Sequence, residues 1–290
     1  MTFKPTAFII GAQKSGTTTL AHLLQKHPQI CLSNPKETDF FTGNWDKGMS
    51  WYEGCYANRD ANIILDASPS YSVAPAPRDA NLGDGGSGIS KIDKVTGVPA
   101  RIHSINPDAK FIYILRDPIA RTYSSYWHAV RAGVETKPWA EAVTLQSAYI
   151  RASLYFQQLQ LYLEYFPMKS FLFINFKDLK ENPKVVIDRC LLHIGGDLSR
   201  CPEIEATQKN ASFRYNKLGH VLQNSVGGGQ RLKYLSAIVK KYTPAKFQDG
   251  LRSLLTADIP KASDAQKALV CKFVEKDRNK IVKLVGFNPS

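Results

Sequence analysis

Apolar residues fall along the chain in two rhythms. Short unbroken runs at 6–10 (TAFII), 62–65 (NIIL), 110–115 (KFIYIL) and 170–176 (SFLFINF) have strand length and read as buried strands. Between them the spacing turns helical. Residues 17–26 carry Leu20, Leu23 and Leu24 on one face, and His27-Pro28 ends the pattern. Pro118 behind Asp117 predicts a capped helix running to about Ala132. Residues 147–166 predict one long amphipathic helix closed by Pro167, 183–193 the next helix, and 266–284 a C-terminal one. Gly- and Ser-rich stretches at 81–90 and 224–231 read as surface loops. Strands alternating with helices predict an α/β fold with a mostly parallel central sheet covered on both faces. No repeat or composition break marks a boundary, so residues 1–290 read as a single domain.

Composition narrows the partners. The chain has 290 residues, 43% hydrophobic, enough for a sizeable core. Lys plus Arg number 38 against 25 Asp plus Glu, a formal net charge of +13 that favours anionic ligands. The basic residues are spread with no block of five or six, which argues against a nucleic-acid partner. Five widely spaced cysteines without a CxxC pair argue against a metal site or disulfide framework and fit a reducing compartment. No signal-peptide pattern and no apolar stretch of about 18 residues occurs, so a cytoplasmic chain without a membrane span is expected. Oligomeric state is not readable.

The chemistry begins at Gly11-Ala12-Gln13-Lys14-Ser15-Gly16-Thr17-Thr18, between strand and helix. Glycines let the backbone curl its N–H groups inward, the helix N-terminus adds partial positive charge, and Lys14 adds a full one. The Walker A pattern is nearly met, but Thr17 stands where its lysine belongs and the lysine sits inside the loop at position 14. That displacement argues against an ordinary Mg-ATP site. At the end of the 110–115 strand stand Arg116 and, eight residues on, Ser124. A guanidinium fork at a strand end and a hydroxyl two helical turns later can meet one phosphate.

GAQKSGTTTL resembles the 5′-phosphosulfate loop of sulfotransferases that use PAPS (3′-phosphoadenosine 5′-phosphosulfate), and RDPIARTYSSY resembles their 3′-phosphate segment. The resemblance implies a P-loop-like three-layer fold. It implies that Gln13, Lys14, Ser15, Gly16, Thr17, Thr18, Arg116 and Ser124 bind PAPS and its product PAP, with no metal. Lys36-Glu37-Thr38-Asp39-Phe40-Phe41 is similar to a segment of the heparan sulfate sulfotransferases whose glutamate is the catalytic base, which puts that role on Glu37. Residues 48–52 (GMSWY), 68–71 (SPSY) and the C-terminal helix extend the likeness. Ala67 stands where that group has a lysine, its paired C-terminal cysteines are missing, and its K-G-R phosphate segment is echoed only by Gly228-Gly229-Gln230-Arg231. Arg231 is the cofactor candidate there.

The expectation is in-line transfer of a sulfuryl group to a hydroxyl or amine of a polar acceptor: a glycan, a glycolipid or a small natural product. Glu37 takes the proton and Lys14 stabilises charge on the leaving side. His103, His128, Trp51, Tyr52, Tyr71 and Trp127 are secondary candidates for the acceptor pocket. Two other readings stay open. An atypical P-loop kinase or NTPase would need Asp66, an acid at a strand end, for magnesium. A non-catalytic anion- or glycan-binding protein would keep the loops without turnover.

Overall fold

The computed structural model describes residues 3–74, 97–203, 213–215 and 256–290. The two glycine-rich stretches and Arg231 lie outside the described residues. Five strands form one parallel sheet: β1 (Ala7–Gly11), β2 (Ile30–Leu32), β3 (Ile63–Asp66), β4 (Lys110–Leu115) and β5 (Phe171–Asn175). Their order is β2-β3-β1-β4-β5, and every ladder is parallel. Strand β1 is therefore central, with later strands added on both sides of it. That is the place where an open parallel sheet leaves a crevice at its strand ends. A second, two-stranded antiparallel sheet pairs β6 (Phe213–Tyr215) with β7 (Thr256–Asp258).

Both faces of the large sheet are covered, which explains why its strands read as continuous apolar runs. Ile9, Ile112 and Ile114 point to one side, where they meet Leu20 and Leu24 of α1 (Thr17–Leu24) and Val186 and Leu191 from residues 183–194. Phe8, Phe111 and Tyr113 point to the other and pack with Val98, Tyr155, Leu159 and Tyr162. Alternate residues serve alternate faces because the strand period is two. The sequence pattern passed over β2 because three residues are too few to show it.

Of the remaining helices, α2 is Gly48–Glu53, α3 is Val98–Ile105 and α4 is Pro118–Arg131. The predicted cap is present on α4, where Asp117 Oδ1 accepts from the Ala120 N–H at 2.7 Å. The single helix expected over 147–166 is two: α5 (Ala148–Arg151) and α6 (Tyr155–Leu163). The cause is Arg121. Its Nη2 and the Thr122 hydroxyl both bond the Tyr149 carbonyl. That carbonyl would otherwise accept from the Ser153 N–H four residues on, which turns instead to Ile150 O at 2.7 Å. A tertiary contact thus overrides a helical periodicity that was otherwise sound. Helices α7 (Phe176–Glu181), α8 (Pro183–Ile194) and α9 (Asp264–Val285) complete the described set used below. A capping box starts α9, with Ser263 and Gln266 satisfying each other's backbone N–H groups.

Candidate active site

The loop from β1 into α1 closes tightly. Ser15 N–H bonds the Ala12 carbonyl at 3.1 Å, and Ala12 N–H bonds Ile114 O of the neighbouring strand at 2.9 Å. Gly16 has a φ of 84°, and a Cβ there would meet Leu179 Cδ2 at 3.0 Å and the Phe176 ring at 3.1 Å. The left-handed backbone favours glycine, and a side chain there would also press on Leu179 and Phe176. Lys14 has a φ of 65°, and Asp39 one of 47°. These are the two non-glycine residues with left-handed φ among the described residues, one in each loop of the candidate site. Such backbone is uncommon and concentrates at functional sites.

Arg116 closes the loop from the side. Its Nη1 donates to the Lys14 carbonyl at 2.7 Å, and its guanidinium lies 4.9 Å from the centre of the Phe176 ring. Burial pushes its pKa down, opposed by the Tyr155 phenol and Asp117. The Lys14 ammonium is also held below its ordinary range, first by burial, then by Arg131 and Arg116, with Glu37 acting the other way. Three cations and one carboxylate therefore share one electrostatic neighbourhood. Arg131, in the last turn of α4, was not among the sequence candidates, because a helix-end arginine carries no local signature.

Glu37 is exposed and pairs with Lys36 at 2.7 Å. Its loop is anchored from below by Asp66. That carboxylate is wholly buried and takes four hydroxyl donors: Thr38, Tyr52 and Tyr71 at 2.8 Å each, and Ser68 at 2.6 Å. Burial pushes its pKa up, while the four hydroxyls pull it down. Thr38 further accepts from the Phe40 N–H, and Ser68 from that of Asp39, so the residues after Glu37 are tied at several points. Ala67, in the lysine's place, is buried core.

The other candidates divide. Ser15 and Thr17 are buried, Gln13 half-buried and Thr18 exposed. Ser124 is half-buried on α4, and no hydrogen bond joins it to Arg116 among the described residues. Tyr52 and Tyr71 are fully buried core residues whose hydroxyls are bound to Asp66. His103 packs against Phe166 at 5.4 Å, and His128 bonds Arg131 at 2.9 Å. A cleft of about 270 Å³ between α4 and α9, lined in part by Ile119, Cys271, Glu275 and Arg278, contains none of the predicted site residues.

The sulfotransferase domain family model matches residues 4–233. The chain belongs to that family. Heparan sulfate glucosamine 3-O-sulfotransferase 6 of Mus musculus is 29% identical over 236 residues, covering 78% of this chain and 60% of that protein. Bifunctional heparan sulfate N-deacetylase/N-sulfotransferase 4 of Mus musculus is 29% identical over 214 residues, covering 66% of this chain and 22% of that protein. The chain thus spans 60% or less of these two curated relatives. Both belong to the branch that the sequence resembles. Among solved structures, the sulfotransferase from Alicyclobacillus acidocaldarius shares the fold, with a TM-score of 0.55 at 22% identity, covering 82% of this chain and 96% of that one.

The residues fit the sulfate donor of the family. The Ser15 hydroxyl is fully buried in the phosphate loop and has no hydrogen-bond partner, an orphan that an anionic oxygen would satisfy. Lys14 and Arg116 bring like charges together beside it, an arrangement that an anion stabilises.

Proposed function

We propose that this sulfotransferase-family chain transfers a sulfuryl group from PAPS to a hydroxyl or amine of a polar acceptor, with Glu37 as base. One observation carries the reading: Arg116 Nη1 donates to the Lys14 carbonyl at 2.7 Å, which joins the strand-end arginine to the loop lysine. Gln13, Lys14, Ser15, Gly16, Thr17 and Thr18 would hold the 5′-phosphosulfate, and Arg116 with Ser124 the 3′-phosphate. The donor supplies the activated sulfuryl group. Glu37 accepts the acceptor's proton at a carboxylate oxygen, once Lys36 yields it. Lys14 and the loop N–H groups hold positive charge where negative charge grows on the leaving side, so that little reorganisation is needed. The relatives are named for heparan sulfate, which favours a glycan acceptor, and a glycolipid or small natural product fits the same chemistry.

The kinase reading lacks its metal ligand, because the Asp66 carboxylate is wholly buried and already engaged by four hydroxyls. Calorimetric titration with PAP and with ADP, without metal, tests the donor site. Tight PAP binding that is lost in Lys14→Ala supports the proposal. Preference for ADP with magnesium overturns it. PAP binding without turnover on any acceptor in a labelled-PAPS screen would move the non-catalytic binding reading forward.

A further inference from the structure

Strand β4 ends at Leu115, and the turn Arg116-Asp117-Pro118 leads into α4. Two backbone donors that follow the turn go to Asp117. The Ala120 N–H meets Asp117 Oδ1 at 2.7 Å, and the Arg121 N–H meets the Asp117 carbonyl at 2.9 Å. Pro118 has no N–H to give. The Arg116 carbonyl takes its hydrogen bond from a distant segment instead, from the Tyr155 hydroxyl at 2.7 Å. Tyr155 is fully buried, and its ring stands edge-on to Tyr113 at 5.8 Å, so the hydroxyl is held in place by packing.

A second bond supports the same turn. Ser153 Oγ donates to the Pro118 carbonyl at 3.1 Å and accepts from Arg121 Nε at 2.6 Å. Residues two apart on one continuous helix do not face the same way. Ser153 and Tyr155 reach one turn together because α5 stops at Arg151 and α6 starts at Tyr155. The break that Arg121 makes at the Tyr149 carbonyl thus brings two hydroxyls to residues 116–118. Asp277 of α9 fixes the start of α6, where it accepts from the Phe156 and Gln157 N–H groups. Hydrogen bonds therefore run from α9 through the first turn of α6 and Tyr155 to the Arg116 backbone. From its side chain, Nη1 continues the line to the Lys14 carbonyl. A guanidinium fork is directional, so a turn of the 116–117 peptide would misaim it.

We propose, resting on the donor binding proposed above, that Tyr155 is a positioning residue for sulfuryl transfer: its hydroxyl sets the Arg116 peptide so that the guanidinium meets the 3′-phosphate of the donor. Tyr155→Phe keeps the ring and removes only the hydroxyl. The full chain is titrated by calorimetry with PAP and with adenosine 5′-phosphate (AMP), which lacks only the 3′-phosphate. In Tyr155→Phe, PAP affinity is expected to fall about five- to tenfold, the scale of one hydrogen bond, with the fold retained by circular dichroism. AMP affinity is expected to change by less than about twofold, because Arg116 is aimed at the group that AMP lacks. In an Arg116→Ala background, adding Tyr155→Phe is expected to leave PAP affinity within about twofold, since the residue it positions is gone. Equal losses for PAP and AMP would mark a general loosening and overturn the proposal. So would unchanged PAP affinity in Tyr155→Phe, a full loss that persists in the Arg116→Ala background, or a Tyr155→Phe chain that does not fold. A parent chain that binds no PAP would remove the donor site itself, and this role with it.

Discussion

Arg116 Nη1 donates to the Lys14 carbonyl across 2.7 Å, joining two segments that are 102 residues apart in the chain. One arginine thereby braces the loop that presents Lys14, and in the proposed function its other donors hold an anion. Lysine at position 116 retains charge but loses the planar fork that can do both. Arg116→Lys is therefore expected to weaken PAP binding at least tenfold, about 1.4 kcal/mol, with the fold intact by circular dichroism. Binding equal to the parent in titration calorimetry would show that the fork is not needed.

Glu37→Gln removes the proposed base and preserves size. Turnover is expected to fall by about 10²–10⁴ while PAP affinity holds within a few-fold. Lys36→Ala removes the ion pair that competes for the same carboxylate at 2.7 Å. It frees the carboxylate and is expected to raise turnover while leaving PAP affinity alone. Near-parental turnover of Glu37→Gln on a saturating acceptor would remove Glu37 from the mechanism.

Much of this site was legible in the sequence, because its parts are local. A glycine loop between strand and helix, an arginine at a strand end and the Asp117 cap all announce themselves within a few residues. The parts that were missed are tertiary. The Asp66 network gathers residues from 38 to 71, and its hydroxyls look like ordinary loop polarity until they converge. The break between α5 and α6 depends on Arg121, some 28 residues from the carbonyl it takes. Arg131, in the last turn of α4, is far from Lys14 in the chain and is tied to it only by its charge in the folded protein.

Asp66 links this buried network to the Glu37 loop. Asp66→Ala would take their shared acceptor from four hydroxyls in a wholly buried place, of which Thr38 and Tyr71 can still bond each other, at about 1–3 kcal/mol for each group left unsatisfied. A loss of about 3 kcal/mol in urea-melt stability is expected. Asp66→Asn keeps the shape but replaces one acceptor oxygen by a donor facing hydroxyls. It is expected to be milder in stability yet to lower kcat more than KM, because the loop that aims Glu37 loosens. An unchanged kcat in Asp66→Asn would mean that the network is structural only.

Asp277 of α9 caps α6 from outside, accepting from the Phe156 N–H at 3.0 Å and the Gln157 N–H at 2.8 Å. Burial raises its pKa to about 6, against the pull of those N–H groups and of Lys280. A carboxyl with a raised folded pKa binds its proton more tightly folded than unfolded. Its contribution to stability is therefore full below the unfolded value near 3.8 and is lost as pH rises through about 6. The whole swing is at most about 3 kcal/mol. Asp277→Asn cannot titrate and keeps one acceptor oxygen for the helix end. Relative to the parent, this variant is expected to fare better at pH 7 than at pH 4.5 in urea melts. Asp277→Ala, which removes the cap as well, is expected to lose about 1 kcal/mol more than Asp277→Asn at both pH values. A parent-to-Asn difference that does not change with pH would show that Asp277 is already ionised in the fold throughout this range, with its two N–H donors outweighing burial.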